Sequence, residues 1–595
     1  MAAARIVLVL LALAALAPGA RAAPSYVATF HSIGLYWAPP AGAPGNAARV
    51  EFRAAGEPHW RPGLDLWFDE RNAEYRGSLV ELEPGTAYTV RLKLESGFTE
   101  TLAARTWSEQ FPVKRTVQIE PGSARLVIGE EDSGDERDGY VVFTAPPGRN
   151  TIDPSGLAGD EARDSCVVVK QGAHHVIVRG LVLRNCRRHA VYIERQFHPV
   201  LETTTRDIVI EDNEISGWGG TGHEAPGVAD DDGAIHCNYY REENAAKKPM
   251  RIIVQRNRIS NPRYGANPWR TPGAPAAHPH GPQAVTFMRC GSNHVFRYNE
   301  VSSSNGNHFN DGIGGGENFS TEGFPWADSD IYGNRISQAY DDGIEAEGAN
   351  RNVRIWGNYF DRVFVAIANA ATSVGPLYVW RNVSDRMANM YQPEGNPDLE
   401  LRGPFIKAGS NAAHANGGRA YYFHNTALQP PPPRGVAFSL GAGAGIEKSG
   451  GALYNFVSRN NVWQIHKEAL SEGAPKFFSI RADCSSGPCE ADFDLYNGRI
   501  VNAGARAQKH GWGPGAHGHP IYASSGRGYP DLAARPRDFT LKPGSPGYGR
   551  AVPLANFNDA YPRADVGAHQ SGTPPMQFGL DAYHRRFEPQ RSARR

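Results

Sequence analysis

The sequence lacks net charge, a membrane-spanning segment and helical repeats. Its 62 Lys and Arg residues balance 62 Asp and Glu residues, so neither nucleic acid nor an anionic membrane surface would attract the chain as a whole. After the first 22 residues, no apolar run is long enough to cross a bilayer. No segment shows the 3.6-residue periodicity that a solenoid of helices needs. We therefore expect no nucleic-acid partner, no membrane span and no helical repeat fold.

Cysteine is also scarce, with six residues and no Cys-x-x-Cys pair. A cysteine-ligated metal site is therefore not expected. Cys484 and Cys489 flank the short stretch Ser-Ser-Gly-Pro, and we predict a disulfide between them. Two further pairs could be either disulfides or buried thiols, namely Cys166 with Cys186 and Cys237 with Cys290.

The first 22 residues have the features of a secretory signal peptide. A basic start at residues 1–5 precedes an apolar run at residues 6–17 and an A-x-A cleavage motif at residues 20–22. The apolar run is too short to span a bilayer. We predict cleavage near Ala22 and a secreted or periplasmic protein, a compartment in which disulfides persist.

The dominant positive feature is a repeated phrase: an aliphatic residue, two variable residues, Asn, one variable residue and an aliphatic residue. Its Asn residues are Asn185, Asn213, Asn257, Asn299, Asn334, Asn358 and Asn382, with fainter copies at Asn425 and Asn460. The closest copies are 24 residues apart and consist of short β-branched strands broken by Asn and Gly. Asn at a bend tolerates a left-handed backbone, and stacked Asn side chains form ladders. We predict an all-β fold containing a right-handed parallel β-helix, its handedness following the rule for parallel crossovers.

A different pattern occupies residues 23–107. Residues 34–40 (GLYWAPP), 50–56 (VEFRAAG) and 82–91 (LEPGTAYTVR) resemble a fibronectin type III domain. The resemblance implies a small β-sandwich in which Trp37 lies in the core and Tyr88 makes the family's tyrosine corner. Strand alternation and turn signals predict strands here independently of the resemblance. Such a module implies a spacer or docking role and no catalysis.

These patterns divide the chain into six parts. Near the end, residues 538–546 and 565–570 resemble the closing phrase of secreted β-helix proteins of the pectate-lyase-like superfamily, which implies a C-terminal cap. The parts are a signal peptide (1–22), a fibronectin-III-like domain (23–107), a linker with the first irregular coils (108–160), a β-helix catalytic domain (161–500), C-terminal coils and a cap (501–570), and a tail (571–595).

Acidic residues precede the aliphatic residues that the repeat places in register. The predicted inward row consists of Ile235, Val285, Ile313, Ile344 and Ile367. Asp-Gly sequences precede three of them, so Asp232, Asp311 and Asp342 should stack along one edge, with neighbouring coils about 4.8 Å apart. A single Asp-Gly is ordinary turn chemistry. Clustered carboxylates, however, repel one another unless a cation or substrate compensates, so the doubled and tripled acids indicate a functional site.

Two of these segments also carry a resemblance to a known family. Residues 310–313 (NDGI) and 341–344 (DDGI) resemble the first two acidic motifs of the polygalacturonase-like glycoside hydrolases, which belong to the pectate-lyase-like superfamily. The resemblance implies that Asp311 is the general acid and that Asp341 and Asp342 activate the attacking water. The family's Gly-His-Gly motif is not found after Asp342, and the end of the family pattern, Arg-Ile-Lys, is matched only loosely by Phe-Ile-Lys.

Two carboxylates suffice for glycoside hydrolysis, and no cofactor is then required. The catalytic candidates are Asp311, Asp341, Asp342, Asp232 and Glu345. The substrate-binding candidates are His308, Asp231, Glu347, Arg289, His236, Lys407 and Trp326. Alternation along the strand turns Asp341, Glu345 and Glu347 toward solvent, on the parity opposite to Ile344. Acids one coil apart approach the spacing of retaining enzymes and acids two coils apart that of inverting enzymes, so both geometries stay open.

A metal-assisted polysaccharide lyase or uronate epimerase is an alternative on the same scaffold. Its Ca²⁺ ligands would be Asp230, Asp231, Asp232 and Glu345, because Ca²⁺ prefers oxygen ligands. Its candidate bases or neutralising groups would be Arg289, Lys407, His280 and His308. His278-Pro-His280 lies in a Pro- and Ala-rich insertion, and we interpret it as an incidental loop feature rather than a pair of ligands.

A non-catalytic polysaccharide-binding or adhesion solenoid is the third hypothesis. Adhesins usually have many near-identical repeats, whereas these coils are few and irregular, with long insertions around one acidic patch. Aromatic residues of the insertions, such as Trp218, Trp269 and Trp326, suit stacking on sugars. The sequence therefore favours an enzyme acting on a polysaccharide or oligosaccharide, with hydrolysis as the first hypothesis.

Overall fold

A computed structural model of the chain describes residues 23–156, 165–194, 204–220, 232–238, 248–269, 271, 274, 278–304, 306–316, 318–370, 372–387, 399–400, 403–410, 416–429, 437–438, 445–448, 451–465, 478–484, 487–501, 519–531 and 537–584. Within these ranges the regular elements are β-strands, apart from the 3₁₀ turns Glu130–Asp132 and Pro154–Gly156 and a helical turn at residues 580–584. The all-β prediction is confirmed. No helix in these ranges is long and apolar enough to cross a membrane. The predicted signal peptide lies outside them.

Residues 25–105 form two four-stranded antiparallel sheets around a shared hydrophobic core. One sheet contains Ser25–Ala28, Ile33–Trp37, Glu74–Leu79 and Trp67–Asp69, and the other contains Arg61–Pro62, Ala48–Ala54, Ala87–Leu94 and Thr99–Arg105. Every second residue of Ala87–Leu94 is buried, as expected for a strand with one face on a core. Trp37 is buried in this core, and the Tyr88 hydroxyl accepts a hydrogen bond from the Glu83 backbone N–H at 2.9 Å.

The chain then coils into a parallel β-solenoid whose strands lie in three rows. One row is a 12-stranded sheet of Val113–Gln118, Tyr140–Thr144, His174–Arg179, Arg206–Glu211, Met250–Gln255, Val295–Arg297, Asp330–Tyr332, Val353–Trp356, Leu377–Trp380, Ala420–Phe423, Phe456–Arg459 and Cys489–Ala491. The other two rows make a 21-stranded sheet of Leu126–Ile128, Thr151–Ile152, Val167–Val169, Val182–Arg184, Val191–Ile193, Glu214–Ser216, Gly233–Asn238, Arg258–Ser260, Gln283–Met288, Glu300–Ser302, Ile313–Gly314, Arg335–Glu345, Tyr359–Asn369, Val383–Arg386, Ile406–Ala408, Thr426–Leu428, Ile446–Lys448, Val462–Gln464, Phe478–Arg481, Leu495–Tyr496 and Arg499–Val501. A further parallel pair is formed by Leu399–Glu400 and Ala437–Phe438.

The predicted inward aliphatic row is confirmed. On consecutive coils, each residue of this row pairs with the next, in the order Ile235, Val285, Ile313, Ile344 and Ile367. All five side chains are fully buried, and β-branched residues pack well against neighbours on a pleated surface. This row fixes the register of the coils that carry the acidic motifs.

An asparagine ladder runs along the solenoid. Each side-chain amide donates to the Oδ1 of the next residue at 2.8–3.1 Å, through Asn213, Asn257, Asn299, Asn334, Asn358, Asn382, Asn425 and Asn461 and finally to Asp494. Each amide also donates to a backbone carbonyl of the neighbouring coil, as Asn358 does to Ile331 at 2.9 Å. The ladder thus satisfies buried polar groups at the corner of each coil.

Two predicted ladder positions are wrong. Leu181 rather than Asn185 occupies the position in an early coil, because its backbone N–H donates to the first ladder amide at 2.9 Å. Near the other end, the ladder residue is Asn461 and not Asn460. The left-handed backbone also falls one residue before the ladder Asn, as at Asp212 with a φ of 58°. The turn is therefore made by the preceding residue, and the Asn side chain points along the solenoid.

All six cysteines form disulfides, namely Cys166–Cys186, Cys237–Cys290 and Cys484–Cys489. The predicted Cys484–Cys489 bridge is confirmed. The other two pairs, left open by the sequence, are disulfides rather than buried thiols. Three disulfides are compatible with an extracellular location.

The antiparallel sheets pack against the outer face of the 12-stranded sheet through buried polar contacts. The Tyr36 hydroxyl donates to the Asp328 carboxylate at 2.8 Å. Thr29 donates to Asp330, which also pairs with Arg354 at 2.5 Å. A cavity of about 760 Å³ lies at the junction, between the linker and the outer face of the early coils. None of the acidic motif residues lines this cavity.

Candidate active site

Asp311 and Asp342 occupy equivalent positions on adjacent coils. Each precedes, by two residues, one of the paired core residues Ile313 and Ile344. The Gly312 backbone N–H donates to the Asp342 carbonyl at 3.0 Å. The Asp342 backbone N–H donates in turn to Asp311 Oδ1 at 2.9 Å. Main-chain bonding between the coils therefore fixes the two carboxyl groups relative to one another.

The glycines of the two Asp-Gly pairs allow close stacking of the coils. A Cβ atom at Gly312 would lie 2.6 Å from the Gly343 carbonyl oxygen, and one at Gly343 would lie 2.6 Å from Phe360 Cδ1. Neither glycine has a left-handed φ. The Asp-Gly sequence therefore serves a close backbone approach and not a tight turn.

Asp311, Asp341 and Asp342 form a buried cluster. One carboxylate oxygen from each lies within 4.8 Å of the others, and none of the three residues is more than 3% exposed. Gln283 Nε2 donates to Asp311 Oδ2 at 3.1 Å. Thr286 Oγ1 donates to Gln283 Oε1 at 2.9 Å, which orients the amide. The cluster thus joins two adjacent coils and is supported by a third.

The predicted solvent-facing orientation is wrong for two acids of this strand. Asp341 and Glu347 are each only 3% exposed, while Glu345 is partly exposed. A register shift between Ala339 and Asp342 interrupts the alternation of the strand. Such irregularities re-aim side chains, often beside functional sites, and here they allow neighbouring Asp residues to enter one cluster.

Two cationic side chains pair with acids of the site. Lys407 Nζ lies 2.9 Å from Asp342 Oδ2 and 3.1 Å from Glu347 Oε1. The contact with Glu347 is an ion pair by distance and lacks hydrogen-bond geometry. His278 Nε2 lies 2.9 Å from Asp341 Oδ2. Asp341, Asp342 and Glu347 thus each face a basic side chain.

Asp311 has no ion-pair partner in the described part of the chain. Burial raises its pKa well above the usual range, and Glu345, Asp341 and Asp342 raise it further. Burial and Asp341 also raise the pKa of Asp342, but Lys407 opposes that rise. Asp311 is therefore the member of the cluster best placed to hold a proton.

Lys407 and Glu345 titrate differently from their free side chains. Burial lowers the pKa of Lys407, but the surrounding carboxylates, with Asp342 and Glu347 the largest contributors, raise it well above its usual range. Lys407 therefore stays charged. Burial and Glu347 raise the pKa of Glu345 to about 7, while Asn318, a donor at 2.9 Å, lowers it. Because Glu345 is partly exposed, solvent weakens these effects.

Asp341 Oδ1 and Asp342 Oδ1 are buried and have no hydrogen-bond partner among the described residues. A buried acceptor without a partner is costly, so these oxygens mark a place for water or a substrate hydroxyl. A cation could compete for this space, but Lys407 and His278 already supply positive charge beside it.

Asp232 lies outside this cluster. Its carboxylate accepts a hydrogen bond from the Tyr264 hydroxyl at 2.8 Å, and its coil is separated from that of Asp311 by the strand Gln283–Met288. Asp230 and Asp231 lie outside the described residues. Asp232 and Glu345, the two predicted Ca²⁺ ligands among the described residues, lie on different coils and bond to different residues, Tyr264 and Asn318. The structure therefore does not bring these two residues together.

The remaining substrate-binding candidates are spread along the solenoid. The ring centroid of His308 lies 4.1 Å from that of Tyr340, and the ring centroid of His236 lies 4.0 Å from that of His189. Lys248 Nζ lies 4.8 Å from the centroid of the Trp326 ring. Arg289 follows the strand Gln283–Met288 and is partly buried. Among the predicted binding residues, Lys407 and Glu347 are the ones that ion-pair within the acidic site.

Sequence reasoning missed Gln283, and its interpretation of His278 as an incidental loop feature is wrong, because the imidazole contacts the acidic cluster. The insertion that carries His278 gave no local sign that its imidazole reaches Asp341, which lies 63 residues away in the chain. Gln283 could have been found, because it precedes Val285 by the same two residues that separate Asp311 from its own core partner. No protein-family model, curated protein or solved structure matches this chain.

Proposed function

We propose that the protein is a secreted or periplasmic glycoside hydrolase that cleaves a polysaccharide. The observation that carries this proposal is the buried cluster of Asp311, Asp341 and Asp342, in which one carboxyl group lacks a counter-cation and two are ion-paired. Glycoside hydrolysis needs a carboxylic acid and a carboxylate at one bond. Two neighbouring carboxyl groups can take these two roles when their different environments give them different pKa values.

Asp311 is assigned the role of general acid. Its raised pKa favours the protonated form, which can donate to the glycosidic oxygen as the bond breaks. Gln283 Nε2 and the Asp342 backbone N–H, at 3.1 and 2.9 Å, position its two oxygens. The same two donors stabilise the carboxylate that remains after proton transfer.

Asp341 and Asp342 are assigned the reaction at the anomeric carbon, as the base or the nucleophile. Each is paired with a cation at Oδ2 and has Oδ1 available, either to deprotonate a water or to attack directly. One oxygen of each carboxyl group lies within 4.8 Å of the others, a close grouping that favours the roughly 5 Å spacing of retaining enzymes over the roughly 6.5–9.5 Å of inverting enzymes. Proton NMR of the first-formed anomer distinguishes the two: inversion identifies the activated water, and retention identifies direct attack.

The residues that follow the inward aliphatics, on the opposite parity of the strands, form a second row that crosses the site and supports a polymeric substrate; within it His236, Thr286 and Ala368 are buried. From coil to coil this row contains Tyr192, His236, Thr286, Gly314, Glu345, Ala368, Lys407, Glu447 and Arg481. Eight steps of about 4.8 Å give roughly 38 Å, enough for several sugar units. Polar and aromatic groups repeated at this spacing suit a chain of sugars lying along the solenoid.

The proposal includes the finer identity of the two structural units. We assign the solenoid as a right-handed parallel β-helix of the pectate-lyase-like kind, in accord with the crossover rule. We assign the antiparallel sheets as a fibronectin-III-like sandwich. The hydrogen bond from the Glu83 N–H to the Tyr88 hydroxyl and the buried Trp37 support the second assignment.

The test is to incubate the purified protein with neutral and uronate-containing polysaccharides, following reducing ends and the ultraviolet absorbance of unsaturated uronates. We expect reducing ends without absorbance, and a loss of about 10²–10⁴-fold in Asp311→Asn and in Asp342→Asn. Asp361→Asn is the matched control, because Asp361 pairs with Arg386 on a neighbouring strand and has no assigned role. Its activity should equal that of the wild type.

Two outcomes would overturn the hydrolase. Absorbance that requires Ca²⁺ and disappears with a chelator would identify a lyase. Binding of a polysaccharide without any product, unchanged in the Asp311→Asn variant, would identify a binding or adhesion solenoid.

A further inference from the structure

The segment between the strands Arg258–Ser260 and Gln283–Met288 brings His278 to the acidic cluster. Asn267 orders the described part of this segment, since its Nδ2 donates to the His278 carbonyl at 3.0 Å and its Oδ1 accepts from the His280 N–H at 3.0 Å. The Trp269 ring lies 4.5 Å from the His278 ring and 5.3 Å from the Phe364 ring. These contacts fix the position of the imidazole.

Both nitrogens of His278 face acceptors. Nδ1 lies 2.7 Å from the Pro279 carbonyl oxygen, which can only accept a hydrogen bond. Nε2 lies 2.9 Å from Asp341 Oδ2. The geometry is satisfied when both nitrogens carry protons and Asp341 is ionised, which is an imidazolium–carboxylate pair.

We propose that His278 is a positioning residue of the active site, whose imidazolium pairs with one oxygen of the Asp341 carboxylate and aims the other oxygen at the reacting centre. This inference rests on the proposed hydrolase, because it assigns a task to Asp341 in that reaction. His278 does not itself reach the substrate in this role; it acts through Asp341. The ring contacts of Trp269 with His278 and Phe364 hold the imidazole in this position.

The charged groups around His278 define its pH dependence. Burial lowers the pKa of His278 and Lys407 also lowers it, but the hydrogen bond and negative charge of Asp341, together with the Pro279 carbonyl, raise the pKa above its usual value. The ring of His280 lies 5.6 Å away, and the packed groups Trp269 and Phe364 are uncharged. As the pH rises through the elevated pKa of His278, the imidazolium is lost and Asp341 loses its partner. Activity should therefore fall on the alkaline side.

The first test measures the His278 titration by NMR of isotopically labelled histidine, with His278→Gln identifying its signal. We expect the pKa of His278 to fall in Asp341→Asn and to stay constant in the control Asp361→Asn. Circular dichroism establishes that each variant is folded. An unchanged His278 titration in folded Asp341→Asn would overturn the inference whether or not any polysaccharide is cleaved. The titration thus separates failure of this inference from failure of the hydrolase.

The second test uses kinetics on a cleaved substrate. His278→Gln should lower kcat about 10–100-fold with little change in KM, since a charge-assisted hydrogen bond is lost. It should also move the midpoint of the alkaline limb, because only deprotonation of the general acid Asp311 then remains on that side. His59→Gln, at an exposed position of the antiparallel unit, is the matched control and should leave both constants and the midpoint unchanged. An alkaline limb with the same midpoint in His278→Gln as in the wild type would show that His278 does not contribute to it and would refute the positioning role.

Discussion

Replacing Asp494 by Asn should make the stability of the solenoid less dependent on pH. Asp494 is the last described member of the asparagine ladder, where its Oδ1 accepts from the Asn461 backbone N–H and Nδ2, both at 2.8 Å. The Ser458 hydroxyl contacts Oδ2 at 2.5 Å. An Asn at this position would accept the same bonds from Asn461 and would carry no charge.

The magnitude follows from the buried carboxyl group. Burial raises the pKa of Asp494 to about 7, compared with about 3.9 in an unfolded chain. The folded protein therefore binds this proton more tightly than the unfolded chain, and the resulting stabilisation is present at low pH and is lost as the pH rises from about 4 to about 7. Between about pH 5 and pH 8 the loss is about 2–3 kcal/mol for a shift of this size.

Urea unfolding followed by far-ultraviolet circular dichroism at pH 5 and pH 8 measures the effect. Relative to the wild type, Asp494→Asn should be more stable at pH 8 than at pH 5 by about 2–3 kcal/mol. Asn425→Asp is the converse variant, because it places a carboxyl group within the ladder and should increase the pH dependence. If the difference between wild type and Asp494→Asn is the same at both pH values, Asp494 does not titrate as the ladder geometry requires.

Three further predictions concern stability, each measured by urea unfolding. Asn358→Ala removes bonds to two neighbouring rungs and to the Ile331 carbonyl and should cost about 3–5 kcal/mol; a cost below 1 kcal/mol would contradict a cooperative ladder. Lys407→Met leaves its buried carboxylate partners without a cation and should cost about 3–5 kcal/mol, with Lys407→Arg closer to the wild type; equal stability of the two variants would argue against the pairing. Tyr88→Phe leaves the Glu83 N–H without its acceptor and should cost about 1–3 kcal/mol, a loss that an unchanged midpoint would disprove.

Much of the solenoid could be predicted because its periodicity has a local cause. Each coil needs an aliphatic residue at the same inward position, so Ile313 and Ile344 could be placed in register without a structure. The ladder was predictable for the same reason. One error arose because Asn460 and Asn461 are adjacent and both suit a bend, so that only pairing with the next coil decides between them. The other arose because Leu181, and no Asn, occupies the ladder position in the coil of Asn185.

The candidate site was less predictable because contacts between distant segments complete it. Alternation along one strand placed Asp341 and Glu347 in solvent. Sequence does not reveal the register shift beside Asp341, nor that the strand ends at Glu345, before Glu347. The partners of these acids lie far away along the chain: His278 is 63 residues from Asp341, and Lys407 is 60 residues from Glu347. The sequence pattern therefore predicted where the acidic residues cluster. The structure adds the basic side chains that pair with some of these carboxyl groups and leave Asp311 without one.

The docking of the antiparallel sheets limits how this chain can be shortened. Asp328, Asp330 and Arg354 are buried under those sheets, beside an aromatic surface that includes Tyr378 and Trp380. A fragment consisting of the solenoid alone would expose that aromatic face and leave Asp328 without its tyrosine partner. Expression of such a fragment should yield aggregation-prone protein, because the N-terminal unit covers an apolar face of the solenoid and is therefore not an exchangeable, independent tag.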